Sequence, residues 1–298
     1  MKFIQFNKFY RIFNIFSISL ILISILFLVI KGLNFGVDFK GGTLIELRTN
    51  NNIQISNIRD AFGKMNLGDV SVKNFGNEND YIIKFEKKNS NDPNFITEIK
   101  DELSKSIGNN FDIRRVENVG PKVSAELLKS GIIAIGLSLA AMLIYIWIRF
   151  EWQFSLGAIA ALFHDVIITL GIFSIFSLEI NLSIVAAVLT IVGYSMNDTV
   201  VIFDRVRENL KKISDIKIFE LTNISINETL SRTIITSATT LLALISIFIF
   251  GGEILKGFSF AMILGVIIGT YSSIYIANPI LVYLRVNYKT IIKEDKEK

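Results

Sequence analysis

A few ionisable residues inside otherwise apolar stretches are the strongest chemical signal in this 298-residue sequence. Asp198 and Arg232 stand in neighbouring apolar stretches, each near the end that the connecting segment joins. A charge at mid-bilayer costs at least about 2.5 to 3.5 kcal/mol on insertion scales, so such residues are usually paired or face water. We therefore expect Asp198 and Arg232 to lie at comparable depths, where a pair between them is feasible and protonation of the acid could switch it.

Neighbouring polar residues extend this candidate proton pathway, to which we also assign Asn197 and Thr236. Hydroxyls near Arg232 either line a water path or bond back to their own helix, which is the more frequent arrangement. These are the hydroxyls of Thr233, Thr236, Ser237, Thr239 and Thr240. In the alternative interpretation, Arg232 extends to the lipid headgroups and Asp198 is a packed, hydrogen-bonded polar residue.

A second candidate lies in the preceding apolar stretch, where His164, the only histidine, stands beside Asp165. This adjacency indicates either a further proton relay or a buried hydrogen-bonded pair. A metal site would need more ligands than one histidine and scattered carboxylates supply, and the chain has no cysteine. The sequence also lacks a Walker or Rossmann nucleotide loop. We expect a chain without catalytic residues, metal or cofactor, coupled to protons and not itself an enzyme.

The elements that position these residues are predicted to be membrane helices. With 51% hydrophobic and 19% charged residues, the chain has more apolar surface than one water-soluble core can hide. Its apolar blocks approach the roughly 20 residues that a bilayer requires, and they lack the strand alternation of a membrane barrel. We predict six spans, near residues 12–30, 132–148, 154–176, 182–203, 226–250 and 258–284.

Basic residues indicate the orientation of these spans, since cytoplasmic loops carry an excess of lysine and arginine. Six crossings place the following on one side: Lys2, Lys8, Arg11, Arg149, Arg205, Arg207, Lys211, Lys212, Lys217, Arg285, Lys289 and Lys293. The opposite short loops, 177–181 and 251–257, contain Lys256 as their only basic residue. Both termini are therefore predicted to be cytoplasmic, and the first span is read as an uncleaved anchor in preference to a signal peptide.

The polar stretch between the first two spans is long enough to form a small extracytoplasmic domain. Alternation predicts strands at 43–48, 70–75, 81–85 and 111–117, with helices at 56–65, capped by Ser56, and at 93–107. This βαββαβ order is the ferredoxin-like motif, so the fold class is a polytopic α-helical membrane protein with one α+β domain. The predicted divisions are 1–31, the domain at 32–125, the spans at 126–285 and a cytoplasmic tail at 286–298.

Small and capping residues predict the local geometry around these elements. Asp38 precedes Gly41 and Gly42, and this spacing indicates a tight turn or, functionally, a hinge or interface at the membrane face. Ser225 followed by Glu228 predicts a capping box at the start of the fifth span. Pro121 is predicted to open a helix that continues into the second span. Small residues every four positions predict close helix packing on the sixth span, at Ala261, Gly265 and Gly269.

Seven motifs follow one another along nearly the whole chain. They are VDFKGG from Val37, VGP from Val119, RFEW from Arg149, HDV from His164, GYSMNDTVVIFDR from Gly193, SRTIITS from Ser231 and GTYSS from Gly269. Together they resemble one family, the SecF subunits of the bacterial SecD–SecF protein-export complex, a branch of the resistance-nodulation-division superfamily.

The resemblance implies an inner-membrane subunit that uses the proton gradient to assist late translocation of preproteins from the SecYEG channel, without hydrolysing ATP. It implies that Asp198 and Arg232 share a proton pathway with an aspartate of SecD, which this chain does not contain. The implied partners are SecD, SecYEG with SecA and YajC, translocating preproteins and membrane lipid. Related transporters have twelve membrane helices built from two parallel repeats, and this chain supplies only one repeat, so a partner is expected to supply the other.

Two other functions stay open at this point. One is a small-molecule or lipid exporter of the same superfamily, and the other is a scaffold that stabilises the export channel without transport. Nucleic acid is not an expected partner, because the net charge is only +4 and the basic residues cluster beside the apolar blocks.

Overall fold

The computed structural model describes residues 3–50, 53–65, 67–68, 70–75, 77–86, 95–213 and 216–295. Within these residues, six helical segments are long and apolar enough to span a membrane, as predicted. They are Phe6–Ile30, Pro121–Arg149, Trp152–Ile175, Leu182–Lys212, Ile218–Phe250 and Leu255–Tyr283. The chain is therefore built as a polytopic helical bundle with one α+β domain inserted after the first span.

The elements are numbered in chain order. Helices α1 to α11 are Tyr10–Ile30, Val37–Lys40, Ile55–Gly63, Phe95–Ile107, Pro121–Arg149, Trp152–Ile175, Leu182–Lys212, Ile218–Phe250, Gly252–Ser272, Asn278–Tyr283 and Tyr288–Asp295. Strands β1 to β6 are Asn34–Phe35, Gly42–Thr49, Val70–Phe75, Asn77–Phe85, Phe111–Val119 and Glu179–Ile180. A π-helical turn, Ser273–Ala277, joins α9 to α10.

The domain is a four-stranded antiparallel sheet in the order β3-β4-β2-β5, with α3 and α4 packed on one face. Alternate residues of β2 point into its core, where Ile45 and Leu47 meet Ile83 of β4. Phe62 of α3 and Leu103 of α4 close this core from the helix side, and both are fully buried. The succession of β2, α3, β3, β4, α4 and β5 is the βαββαβ order expected from the alternation.

The ends of the domain elements differ from the predictions. Helix α3 begins at Ile55 after Gln54, whose extended backbone makes it the N-cap, so the prediction that Ser56 caps this helix is wrong. The helix also ends at Gly63, before the predicted end at residue 65. Strand β4 starts at Asn77 because its first residues pair with β3 and β2. Pro93, the predicted start of α4, lies outside the described residues.

The predicted capping box at the start of the fifth span is also wrong. Helix α8 begins at Ile218, so Ser225 and Glu228 lie inside it. Both side chains bond to α7: Asn209 Nδ2 donates to Ser225 Oγ at 3.0 Å, and Arg205 Nε donates to Glu228 Oε2 at 2.6 Å. These bonds hold α7 and α8 together in the part of both helices that lies beyond the apolar blocks. Arg232 consequently lies about 21 Å along the axis of α8 from its first residue.

Close packing of α7 against α9 follows from the small residues of the sixth span, as predicted. A Cβ atom on Gly265 would overlap the side chain of Ile191, and one on Gly269 would press on Ser195. Ala261 is fully buried in the same interface. The backbones of α7 and α9 can therefore approach closely enough for short hydroxyl side chains to bridge them.

The domain is joined to one end of the bundle, which we call the domain side. Pro121 stands at the first turn of α5, and this helix continues without interruption to Arg149, as predicted. Strand β1, just after α1, pairs in parallel with β6 in the α6–α7 connection. An ion pair between Lys84 of β4 and Glu179 of β6 adds a side-chain contact.

Candidate functional site

Asp198 lies in the interior of the bundle, and only 3% of its surface is exposed. Thr270 Oγ1 of α9 donates to Asp198 Oδ2 at 3.4 Å, and it lies 2.7 Å from Ser237 Oγ of α8. Hydroxyl groups from two other helices therefore form a chain that ends on this carboxylate. Such donors stabilise the ionised acid in a setting where burial penalises its charge.

Arg232 lies at the same level of the bundle as Asp198 but makes no ion pair with it. Tyr194 Oη of α7 donates to Thr236 O of α8 at 3.3 Å, which fixes the relative height of these antiparallel helices. Asn197 lies one turn after Tyr194 on α7, and Arg232 lies one turn before Thr236 on α8. Because the two helices are antiparallel, Asn197 and Arg232 are at the same height. Both of these side chains are exposed on the bundle surface, whereas Asp198 next to Asn197 points inward.

Most hydroxyls of α8 bond to their own helix, the arrangement expected to be more frequent. Thr236 Oγ1 donates to Arg232 O at 2.8 Å, and Thr239 and Thr240 make equivalent bonds. Ser237 instead bonds to Thr270 of α9. Thr233 is buried, and its Oγ1 has no partner among the described residues. Thr236 therefore lies beside the candidate pathway, with its hydroxyl already bonded to its own helix.

His164 and Asp165 form a buried hydrogen-bonded pair on α6. His164 Nδ1 lies 2.8 Å from Asp165 Oδ1, and the two residues are 2% and 0% exposed. The other carboxylate oxygen, Oδ2, accepts from Ser195 Oγ of α7 and from Ser272 Oγ of α9, the latter at 2.8 Å. The imidazole stacks on the ring of Tyr271, with centroids 5.9 Å apart. Asp165 thus joins α6, α7 and α9 at one point.

The predicted site contains the acids but lacks most of the side chains bonded to them. Ser195, Thr270 and Ser272 are absent from the predicted pathway, and Ser237 appears there only as one of several hydroxyls. A signal existed: Ser195 lies one turn before Asp198, and the other two belong to the GTYSS motif. Within the described part of the chain, no three histidine, aspartate or glutamate side chains come together as metal ligands would.

Asp38, Gly41 and Gly42 form a turn that ties the start of the domain to the bundle. Asp38 Oδ2 accepts from the backbone N–H of Leu182, the first residue of α7. Gly41 and Gly42 have φ values of 81° and 133°, and a Cβ on Gly42 would overlap the carbonyl oxygen of Phe85. Glycine is therefore required at this turn. Through it, the domain contacts the same helix that carries Asp198.

Comparisons with known proteins identify the family. A model of the protein export membrane protein SecD/SecF, C-terminal, matches residues 99–287, and a model of the SecD/SecF GG motif matches residues 26–53. Protein translocase subunit SecF of Rickettsia bellii (strain OSU 85-389) is 48% identical over 280 residues, which are 93% of this chain and 92% of that protein. The chain belongs to the SecF family. Protein translocase subunit SecF of Cereibacter sphaeroides is 44% identical over 281 residues, covering 91% of this chain and 86% of that protein.

Solved SecDF structures share the fold of this SecF-family chain. The crystal structure of SecDF from Thermus thermophilus, a translocon-associated membrane protein, matches with a TM-score of 0.85 and 32% identity, over 94% of this chain and 38% of that chain. SecDF in a super-membrane-facing form matches with a TM-score of 0.72 and 30% identity, over 100% of this chain and 40% of that chain. The chain therefore spans about two fifths of the solved SecDF chains.

The matched regions coincide with the parts of the site described above. The SecD/SecF C-terminal model covers Asp165, Asp198 and Arg232, and the GG motif model covers the turn at Gly41 and Gly42. With its six apolar helices, this member of the SecF family is a multi-pass membrane protein.

Proposed function

We propose that this chain is a proton-gradient-driven accessory subunit of the Sec preprotein translocase that assists late translocation and release of secreted proteins. The observation that carries the proposal is Asp198, a buried acid in a membrane helix, held by hydroxyls of two other helices. A carboxyl group in this setting can alternate between a neutral and an ionised form. Each form favours different contacts of α7 with its neighbours.

The exposed polar surface beside Asp198 supports a partner that covers it. An arginine facing lipid at this depth is expensive, so Arg232, together with Asn197, is better placed against protein or a water-filled cavity. The solved SecDF chains are about two and a half times as long as this chain, which matches about two fifths of each of them. We take SecD to be the subunit that packs on this surface and completes the proton pathway with an acid of its own.

The turn at Asp38 offers a route from the proton site to the domain. Protonation of Asp198 would weaken its hold on the hydroxyl of Thr270 and shift α7 against α9. Because the first residue of α7 is bonded to Asp38, a movement of this helix would reach strand β2 through Gly41 and Gly42. The domain would thereby move when a proton is loaded or released, and it would act on the passing preprotein.

The domain class and the orientation belong to the same proposal. The βαββαβ order and the sheet order β3-β4-β2-β5 support a ferredoxin-like domain at residues 32–125. The excess of basic residues on the side of the termini supports a cytoplasmic N-terminus followed by the first span within 1–31, the other spans at 126–285, a cytoplasmic tail at 286–298 and an inner-membrane location. The further partners are the SecYEG channel with SecA and YajC, preproteins and lipid, without a metal, cofactor or ATP hydrolysis by this chain.

Export of a slow secretory protein in cells that carry Asp198→Asn tests this function. The asparagine keeps the shape of the side chain but cannot exchange a proton, so we expect export to fall to the level of cells that lack the chain. Asp204→Asn is the matched control, because this acid lies on the same helix in an exposed ion pair with Arg149, and such pairs contribute little.

Membrane content of each variant and co-purification with SecD must equal the wild-type values. Normal export with Asp198→Asn would contradict the proposal and favour a scaffold that stabilises the channel without coupling to protons. Failure of the chain to co-purify with SecD in mild detergent would contradict the two-subunit part of the proposal.

A further inference from the structure

Two buried acids, Asp198 and Asp165, accept hydrogen bonds at the contact between α7 and α9. Asp198 accepts a hydrogen bond from α9, through Thr270, and Asp165 accepts from both α7 and α9, through Ser195 and Ser272. Ser195 precedes Asp198 by one turn, and Thr270 and Ser272 are two residues apart. The contact between α7 and α9 is therefore bonded at two neighbouring points, only one of which belongs to the proposed proton site.

The geometry at Asp165 is that of a side chain which holds helices together. Its carboxyl group is fully buried, so water neither competes for its hydrogen bonds nor replaces one that is lost. With its proton on Nδ1, His164 donates to one oxygen and leaves the other for the two serines. Gly269 lets the backbone of α9 approach Ser195 closely enough for both serines to reach the same oxygen.

We infer that Asp165 is a positioning residue for the proton-coupled step. It clamps α7 to α9 through Ser195 and Ser272 and thereby sets the distance between Asp198 and the hydroxyl of Thr270. His164 orients the clamp by occupying the first carboxylate oxygen. This inference rests on the proposed function, because the arrangement it explains is the environment of Asp198. Asp165 itself need not exchange a proton in each cycle.

Two adjacent serines at the end of α9 provide a matched pair of variants. Ser272, the last residue of α9, and Ser273, the first of the π-helical turn, are both fully buried, but only Ser272 reaches Asp165, whereas Ser273 Oγ donates to Thr270 O one turn earlier at 2.9 Å. Ser272→Ala removes one donor from the clamp with little change in volume. Ser273→Ala makes the same chemical change and leaves the clamp intact. Direct replacement of Asp165 is a weaker test, because it disturbs three helices at once.

Disulfide cross-linking measures the helix contact independently of transport. The chain has no cysteine, so one introduced pair is the only disulfide that can form within it. Ile191→Cys with Gly265→Cys is suitable, because a Cβ on Gly265 falls where the side chain of Ile191 now lies. The pair is introduced into the full chain with its SecD partner, in the wild-type, Ser272→Ala and Ser273→Ala backgrounds. Export with and without an imposed proton gradient is measured in the same serine variants without the cysteines.

We expect Ser272→Ala to slow cross-linking and to lower the gradient-stimulated part of export by roughly tenfold, the effect of losing one strong buried hydrogen bond. Export without a gradient should stay at its wild-type value, and Ser273→Ala should match the wild type in both measurements. The inference is overturned if Ser272→Ala is normal in either measurement, or if both serine variants lose activity equally. If Asp198→Asn exports normally, the proposed function itself fails, and normal cross-linking in Ser272→Ala identifies failure of the clamp alone.

Discussion

The ion pair between Arg48 and Asp80 in the domain joins neighbouring strands of one sheet, whereas the buried polar groups around Asp165 in the bundle join separate helices. In the domain, Arg48 of β2 bonds to Asp80, its register partner on β4. In the bundle, Asp165 bonds to residues 30 and 107 positions away. The domain core itself is apolar. In the domain, this polar pair links two strands that already belong to one sheet. In the bundle, polar groups set the arrangement of the helices around Asp198.

The difference predicts that the two regions respond differently to substitution. Apolar side chains should govern the stability of the domain, and changes to buried polar groups of the bundle should affect activity more than folding. A loss of export with Asp198→Asn at unchanged stability would agree with this division. The following changes test the division in order of decreasing expected effect.

Phe62→Ala should destabilise the domain most. This side chain is fully buried against Phe85, and replacing such a phenylalanine costs about 3 to 5 kcal/mol through lost burial and the cavity left behind. Urea-dependent proteolysis of the purified full chain, followed at the 32–125 segment, measures the change. Val116→Ala on the exposed side of β5 is the control and should stay within about 0.5 kcal/mol of wild type. Equal losses in the two variants would contradict the assignment of the core.

Gly265→Ala should destabilise the bundle by about 1 to 3 kcal/mol, because its methyl group overlaps the side chain of Ile191. The thermal midpoint of the detergent-purified chain measures this change, and Ile191→Ala in the same chain should restore part of it. Gly136→Ala is the control, since nothing lies within 4 Å of its added Cβ. An equal fall of the thermal midpoint in both glycine variants would contradict the close packing of α7 against α9 at Gly265.

Asp38→Ala should have the smallest effect of the three, about 0.5 to 2 kcal/mol, as for the loss of a helix cap. The lost bond is the one from the backbone N–H of Leu182, so hydrogen exchange should accelerate at the first turn of α7. Asp38→Asn keeps an acceptor oxygen and should accelerate exchange less. Unchanged exchange at Leu182 in Asp38→Ala would remove the proposed link between the domain and α7.

The spans and the order of domain elements could be predicted because they depend on local sequence. A block of about 20 apolar residues and an alternation of period two each indicate one structure. Helix ends depended on distant residues: Ser225 and Glu228 have the spacing of a capping box, yet they bond to Asn209 and Arg205 of α7. These partners on α7 could not be predicted, because they become neighbours of Ser225 and Glu228 only when the two helices pack together.

The acids of the candidate site could be predicted for a similar reason, since a charge is conspicuous in an apolar stretch. The hydroxyl partners could not, because serine and threonine in membrane helices mostly bond to their own backbone. Thr236 and Thr239 do so here, whereas Ser237, Thr270 and Ser272 reach other helices. Which hydroxyl faces which helix is decided by the close α7–α9 packing, and the small residues indicated only that some helix would approach.

We expect Asp198 to couple a proton gradient to export. Export into membrane vesicles that contain the chain and SecD, with and without an imposed gradient, is compared for wild type, Asp198→Asn and Asp204→Asn. The gradient should stimulate export in wild type and in Asp204→Asn, whereas Asp198→Asn should lose this stimulation and retain export without a gradient. Full stimulation in Asp198→Asn vesicles would show that Asp198 does not couple the gradient to export.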